Sequence, residues 1–146
     1  MRADVGIEVV HEVSDELVEA FGRLLPQLSR SAPPLGADQL RAIAGWPGNR
    51  LLVARLDGAV VGTLTLVLFP IPTGLRAWIE DVVVDESARG HGVGAALTNE
   101  AVRLAREEGA KTVDLTSRPS RAAANRLYER LGFQVRESKV YRLDEN

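Results

Sequence analysis

With 146 residues, 45% of them hydrophobic and 26% charged, the chain is long enough to bury one core and has the balance of an ordinary globular domain. Its 18 Lys and Arg against 20 Asp and Glu leave a net charge of -2, which gives no electrostatic ground for non-specific nucleic-acid binding. The lack of cysteine excludes disulfides and thiolate metal ligands, and two well-separated histidines offer no metal-ligand cluster.

In chain order, Met1-Arg2-Ala3-Asp4 runs into Ile7-Glu8-Val9-Val10, which reads as a short strand rather than the apolar region of an export signal. Ser14 or Asp15 caps a helix with Leu17, Phe21, Leu24, Leu25 and Leu28 at helical spacing, and Pro26 is expected to bend or end it. Residues 31–36 form a Pro-rich loop, and residues 37–44 a second short helix closed by Gly45. Residues 51–56 and 59–68 are β-rich runs joined by Asp57-Gly58, a strong hairpin signal. The apolar stretch 59–69 contains Gly62, Thr63 and Thr65 and is about half the ~20 residues that a membrane span requires.

A loop over residues 70–74 precedes a strand at 77–84. Residues 92–108 are amphipathic, with Val93, Leu97, Ala101, Leu104 and Ala105 on one face and Gly109 as the stop. A strand at 111–116, a helix capped by Ser120 and carrying Ala124, Leu127, Tyr128 and Leu131, and two short strands near 133–136 and 140–143 complete the chain. The expectation is one α+β domain over residues 1–146, cytoplasmic, with neither membrane nor nucleic acid as partner.

The segment Asp85-Glu86-Ser87-Ala88-Arg89-Gly90-His91-Gly92-Val93-Gly94-Ala95 joins the 77–84 strand to the amphipathic helix. Its three alternating glycines permit close backbone approach, and the helix start offers unpaired N–H groups and the positive end of a dipole, a natural seat for phosphate. Arg89 adds a full charge at the lip. One reading is a tight strand–helix turn that binds nothing. A second is a dinucleotide site, since Gly90-x-Gly92-x-x-Ala95 fits the Rossmann spacing and Asp114 lies near the position of a ribose-binding acid. Against it, Asp85 to Arg89 separate strand from glycine, Asp114 falls mid-strand, and the chain has no room for a second half.

The third reading is the pyrophosphate of coenzyme A. Arg89-Gly90-His91-Gly92-Val93-Gly94 resembles the (Arg/Gln)-x-x-Gly-x-(Gly/Ala) signature of the GNAT N-acetyltransferase superfamily. The likeness extends from Trp78 to Phe133, through Ile79-Glu80-Asp81-Val82-Val83-Val84 before the loop and Leu127-Tyr128-x-x-x-Gly132-Phe133 after it. It implies a mixed, mostly antiparallel twisted sheet flanked by helices, with a splayed parallel strand pair at the cofactor cleft. It implies acetyl-CoA as co-substrate, with the pantetheine arm along the main chain of Val82, Val83 and Val84. Arg89, Gly90, His91, Gly92, Val93, Gly94 and Ala95 would then hold the pyrophosphate, chiefly through amides, with His91 a spacer.

Acetylating an amine makes three demands. An alkyl ammonium has a pKa near 10, so only about one in a thousand is neutral at pH 7 and a base must take its proton. An oxyanion needs a preorganised donor, for which the resemblance suggests a backbone N–H near Val83. The leaving thiolate needs a proton or hydrogen bond. Glu80 is the candidate base: strict alternation puts it on one face with Trp78, Val82 and Val84, where apolar neighbours raise a carboxylate pKa. A solvated strand glutamate is the competing reading, and Asp81 the fallback. Tyr128 is the candidate acid by resemblance; a core tyrosine on the apolar stripe is the alternative. Many family members carry asparagine seven residues before this tyrosine, where Arg121 stands here, and Asn125 one turn on would substitute as a cofactor contact. Arg118, Arg121, Arg126 and Arg130 read as a solvated face or as partners for an anion.

The function expected is transfer of acetyl from acetyl-CoA to a primary amine by direct attack in a ternary complex, without metal. Absence of cysteine excludes a thioester on the enzyme, while a serine ester stays open. The alternative is a non-catalytic acetyl-CoA-binding sensor or interaction module on the same fold, which could dispense with Glu80 and Tyr128. The acceptor is not legible, although the Ile79-Glu80-Asp81 strand and Arg-Gly loop look similar to those of amino-sugar-phosphate acetyltransferases. Family members often form homodimers through sheet edges or terminal strands, and the sequence neither requires nor excludes one.

Overall fold

The β-rich runs pair into one five-stranded sheet whose spatial order follows the chain: β1 (Val5–Val9), β2 (Asn49–Leu56), β3 (Ala59–Ile71), β4 (Gly74–Val84) and β5 (Thr112–Leu115). The first three neighbouring pairs are antiparallel and β4 with β5 is parallel. The computed structural model describes residues 4–144 and comprises two units, one ending at Thr116 and one beginning at Ser117.

In the first unit the β2–β3 hairpin turns at Asp57 (φ 52) and Gly58 (φ 84), both left-handed as a two-residue type I′ turn demands. The β3–β4 connection is tighter than the expected loop over residues 70–74. Both strands run on until Ile71 faces Gly74. Proline is tolerated at position 70 because β2 pairs with β3 only as far as Val67, with Leu68 N–H reaching Gly48 O, so the far side of β3 is open there.

Two helices precede β2. Helix α1 (Asp15–Leu28) starts at Ser14, whose hydroxyl accepts Leu17 N–H at 3.2 Å, and α2 spans Ala37–Ala44. Pro26 does not end α1. The buried Leu17, Ala20, Phe21 and Leu24 hold it against the sheet, with Leu25 and Leu28 packed beside them. Burying large apolar side chains at about 1.5–3 kcal/mol each outweighs the ~3 kcal/mol cost of an internal proline.

Strand register sorts the layers. Val53 faces Thr63 and Thr63 faces Val83, which puts Val53, Val83 and Leu51 on the side of α1 and α2, where they join Phe21, Leu24 and Leu40 in one core. The opposite side carries helix α3 (Val93–Glu107), whose buried Val93, Leu97, Ala101 and Ala105 match the expected stripe. Gly62 is where α3 comes closest: a Cβ there would lie 3.0 Å from Val93 Cγ1 and 3.2 Å from Leu97 Cδ1.

The second unit contains α4 (Ala122–Arg130), capped by Arg121 rather than Ser120, because a turn closed by Arg121 N–H to Arg118 O delays the helix start. Gly132 (φ 102) follows its end. The two closing strands expected near 133–136 and 140–143 do not form. Residues 133–144 carry no regular structure, and Val135, Val140, Tyr141 and Leu143 stand exposed. Alternating side chains define the faces of a strand but supply no ladder partner, and an isolated two-stranded ribbon is marginal in water. Among the described residues no helix is long and apolar enough to cross a membrane.

Candidate active site

Strands β4 and β5 pair only from Arg76 with Thr112 to Ile79 with Leu115. From Glu80 onward β4 has no neighbour on that side among the described strands, because β5 ends at Leu115. At the same point β4 acquires an irregularity against β3: Thr63 faces Val83 and Thr65 faces Glu80, leaving Asp81 and Val82 opposite Leu64 alone. Asp81 takes φ 50 to accommodate the extra residue, a conformation aspartate tolerates better than most.

This bulge overturns the strict alternation used to place Glu80. Glu80 shares a face with Trp78, as expected, but the third member is Val83 rather than Val82 and Val84. Nor is Glu80 enclosed by apolar side chains: it is exposed, and Trp78 Nε1 donates to its Oε1 at 3.1 Å. Asp81 is exposed beside it. Val83 is buried in the core, and its main chain belongs to the β3 ladder: Asp85 N–H donates to Val61 O at 2.8 Å, and Val83 lies two residues away with the same sense. By the same alternation the peptide group of Val84 turns to the open edge, and Val82 lies within the bulge beside it.

Beyond Val84 the chain makes a single 3₁₀ turn over Glu86–Ala88 and reaches α3 through Gly90 (φ 85) and Gly92 (φ 78). Gly92 is the N-cap of α3, in a left-handed conformation that a side chain would strain. The N–H groups of Val93, Gly94 and Ala95 have no acceptor among the described residues, and Ala96 is the first to bond back, to Gly92 O at 3.0 Å. Arg89 is exposed at the lip. His91 Nδ1 lies 3.1 Å from Ala88 O; a carbonyl can only accept, so the ring donates there and braces the loop.

The loop entrance is built by residues that no local pattern announces. Asp85 Oδ1 accepts both Ser87 N–H and Ser87 Oγ–H at 3.1 Å, while its Oδ2 accepts from Arg23 Nη1 at 2.7 Å. The Ser87 amide and then the Arg23 guanidinium hold this buried carboxyl below the usual aspartate range. Gln27 Oε1 accepts Glu86 N–H at 3.0 Å. Partners 62 and 59 residues apart leave no local signal in sequence.

In the second unit Tyr128 is buried, with Phe133 edge-on at 5.9 Å and 68° and Phe133 N–H donating to Tyr128 O at 3.0 Å. Burial pushes the Tyr128 hydroxyl above its usual pKa, partly opposed by Arg121, so it is a proton donor at neutral pH. Asn125 Nδ2 donates to Arg118 O at 3.1 Å, which leaves its carbonyl oxygen for other contacts.

Free amides at a helix N-terminus, a left-handed glycine cap and a nearby cation suit a pyrophosphate; an open strand edge suits an amide-containing arm. Both belong to coenzyme A. Residues 11–133 match the Acetyltransferase (GNAT) family. A glucosamine 6-phosphate N-acetyltransferase of Trypanosoma brucei brucei is 37% identical over 121 residues, covering 77% of this chain and 80% of that protein. Among solved structures, an acetyltransferase of Trypanosoma brucei is similar at 32% identity with a TM-score of 0.79, over 97% of this chain and 100% of that one. A transcriptional regulator from Bacillus halodurans is similar at 29% identity, with TM-score 0.79 and the same coverage. The chain therefore belongs to the GNAT family and is an acetyl-CoA-dependent N-acetyltransferase.

Proposed function

We propose that the chain acetylates the primary amine of a small polar acceptor by direct attack, with both substrates bound together. The observation that carries this reading is the stretch of β4 beyond Ile79 that β5 leaves unpaired, on the strand that leads into the glycine loop. Bound acetyl-CoA supplies an activated thioester carbonyl. Val82 and Val84 offer main-chain partners to the pantetheine arm, and the amides from His91 to Ala95, with Gly90, Gly92, Gly94 and Arg89, hold the pyrophosphate.

Glu80 takes the ammonium proton, directly or through water, with Asp81 as its nearest substitute. An exposed carboxylate fits this role when a charged amine must approach from solvent, and the Trp78 indole N–H fixes its orientation. Tyr128, a phenol that is protonated at neutral pH and that burial shifts further upward, donates a hydrogen bond to the departing sulfur. Asn125, whose amide nitrogen is engaged by Arg118 O, is assigned to the coenzyme arm through its carbonyl oxygen. Glucosamine 6-phosphate is the first acceptor to test, because a relative covering most of this chain bears that name.

The test is calorimetric titration with acetyl-CoA and CoA, with NAD as control, followed by an amine screen. Binding of both CoA ligands, lost in Gly92→Val, and acetylation without a trapped acetyl-enzyme support the proposal. Binding without turnover on any amine would favour a sensor module. NAD binding without CoA binding would refute the cofactor assignment.

A further inference from the structure

The glycine loop is secured at its far end by α3, whose Val93 is buried close to Gly62. Its near end is secured by α1. Arg23 there is the centre of a small polar cluster: its guanidinium donates to Asp85 Oδ2 at 2.7 Å and to Val60 O at 3.3 and 3.4 Å. One helical turn on, Gln27 donates to Arg23 O at 3.2 Å and accepts Glu86 N–H at 3.0 Å. Asp85 passes the constraint forward through Ser87, whose amide and hydroxyl both donate to Oδ1. Two consecutive residues at the mouth of the loop are thus fixed by side chains from a helix on the other side of the sheet from α3.

We propose that Arg23, seconded by Gln27, is a positioning residue for the coenzyme's pyrophosphate, setting the angle at which the loop leaves β4 and hence the convergence of the amides from His91 to Ala95. The inference rests on the reading that the glycine loop holds the pyrophosphate. A segment with glycine at 90, 92 and 94 has large conformational freedom. Ordering it only on ligand binding would weaken affinity, whereas a loop ordered beforehand binds without that cost. Arg23 touches no atom that would contact the ligand, so its influence passes through Asp85.

A structural tie between α1 and the sheet would affect every ligand alike. Positioning of the loop affects only a ligand that carries the pyrophosphate. The experiment measures dissociation constants for CoA and, by competition, for pantetheine, in the wild-type protein, Arg23→Met, Arg23→Lys and Gln27→Leu, with thermal melting alongside. In Arg23→Met the CoA constant rises about tenfold, the loss expected from one charge-assisted hydrogen bond. The pantetheine constant stays within about twofold, Gln27→Leu moves CoA less in the same direction, and Arg23→Lys recovers part of the loss because it keeps the charge without the fork. If CoA and pantetheine weaken in parallel, or neither moves, Arg23 is a structural tie and the inference fails while the loop assignment stands. If wild-type protein binds CoA no more tightly than pantetheine, the loop holds no pyrophosphate and both fall. If Arg23→Met does not fold, Gln27→Leu carries the same comparison: an unchanged CoA-to-pantetheine ratio would overturn the inference.

Discussion

The indole N–H of Trp78 donates to the carboxylate of Glu80 at 3.1 Å, two residues apart on the same face of β4 at the point where the parallel pairing with β5 ends. If Glu80 is the base, Glu80→Gln lowers kcat/KM at neutral pH by about 10²–10³-fold. That variant regains activity about tenfold per pH unit toward the acceptor's own pKa near 10, because solvent then supplies the neutral amine. Trp78→Phe removes only the orienting bond and lowers kcat/KM by about three- to tenfold, the effect of a modest hydrogen bond. A pH–rate profile on both variants checks this. A normal Glu80→Gln, with the loss appearing in Asp81→Asn, would move the base by one residue.

Tyr128→Phe keeps the edge-on contact with Phe133 and removes only the hydroxyl, so melting changes little while kcat falls by about 10², the lower end for acid–base assistance. Because burial raises the Tyr128 pKa, the wild-type enzyme should show no alkaline loss from this group until above the ordinary tyrosine value of about 10. An alkaline limb near pH 8 that disappears in Tyr128→Phe would contradict the assignment.

Asp85 couples stability to pH. Its folded pKa is lowered by the Ser87 amide and by Arg23, so its contribution is full above the unfolded value of about 3.9 and is lost as pH falls through the lower folded value. Asp85→Asn should therefore be less stable than wild type by about 1–3 kcal/mol at pH 7, the cost of disrupting a buried charge-assisted bond. Urea midpoints of the two proteins should converge as pH is taken from 6 toward 3. A gap that is constant across this range would show that the charge is not the source.

Gly62 is the narrow place between β3 and α3. In Gly62→Val the Cβ alone meets Val93, Leu97 and the carbonyl of Val83 at 3.0–3.2 Å, and the last is backbone that cannot step aside. The expected loss is about 1–3 kcal/mol of stability, with weaker CoA binding because the first turn of α3 must shift. Gly6→Val, where a Cβ meets nothing within 4 Å, serves as the control, and denaturant melts of the two compare them.

Much of the sheet was legible because its signals are local. Asp57-Gly58 announces its own turn, α3 shows a clean apolar stripe from Val93 to Ala105, and residues 37–44 match α2 at both ends. Alternation failed wherever the backbone departs from it or needs a distant partner. Glu80-Asp81 hides a bulge because two adjacent polar residues read equally well as one solvated step. Phe133, Val135, Tyr141 and Leu143 alternate well enough to suggest strands, yet no ladder receives them. The loop sequence carried the proposed phosphate seat in its own glycines but gave no sign of the Arg23 latch, since the pairing of residues 62 apart depends on the tertiary fold.

The extra residue at Asp81 acts on β4 as a phase shift. Upstream, Ile79 points toward α3 and Trp78 toward α1 and α2; downstream the assignment of odd and even positions is exchanged, so Val83 enters the core that Ile79 faces away from. Substitutions at Asp81 leave that phase intact, whereas deleting it would force every following residue up to Asp85 to trade inward for outward, or else slip the strand by one. Length at this position is thus fixed more strictly than identity, and a single-residue deletion here should be far more damaging than the same deletion in the hairpin turn at Pro72 and Thr73.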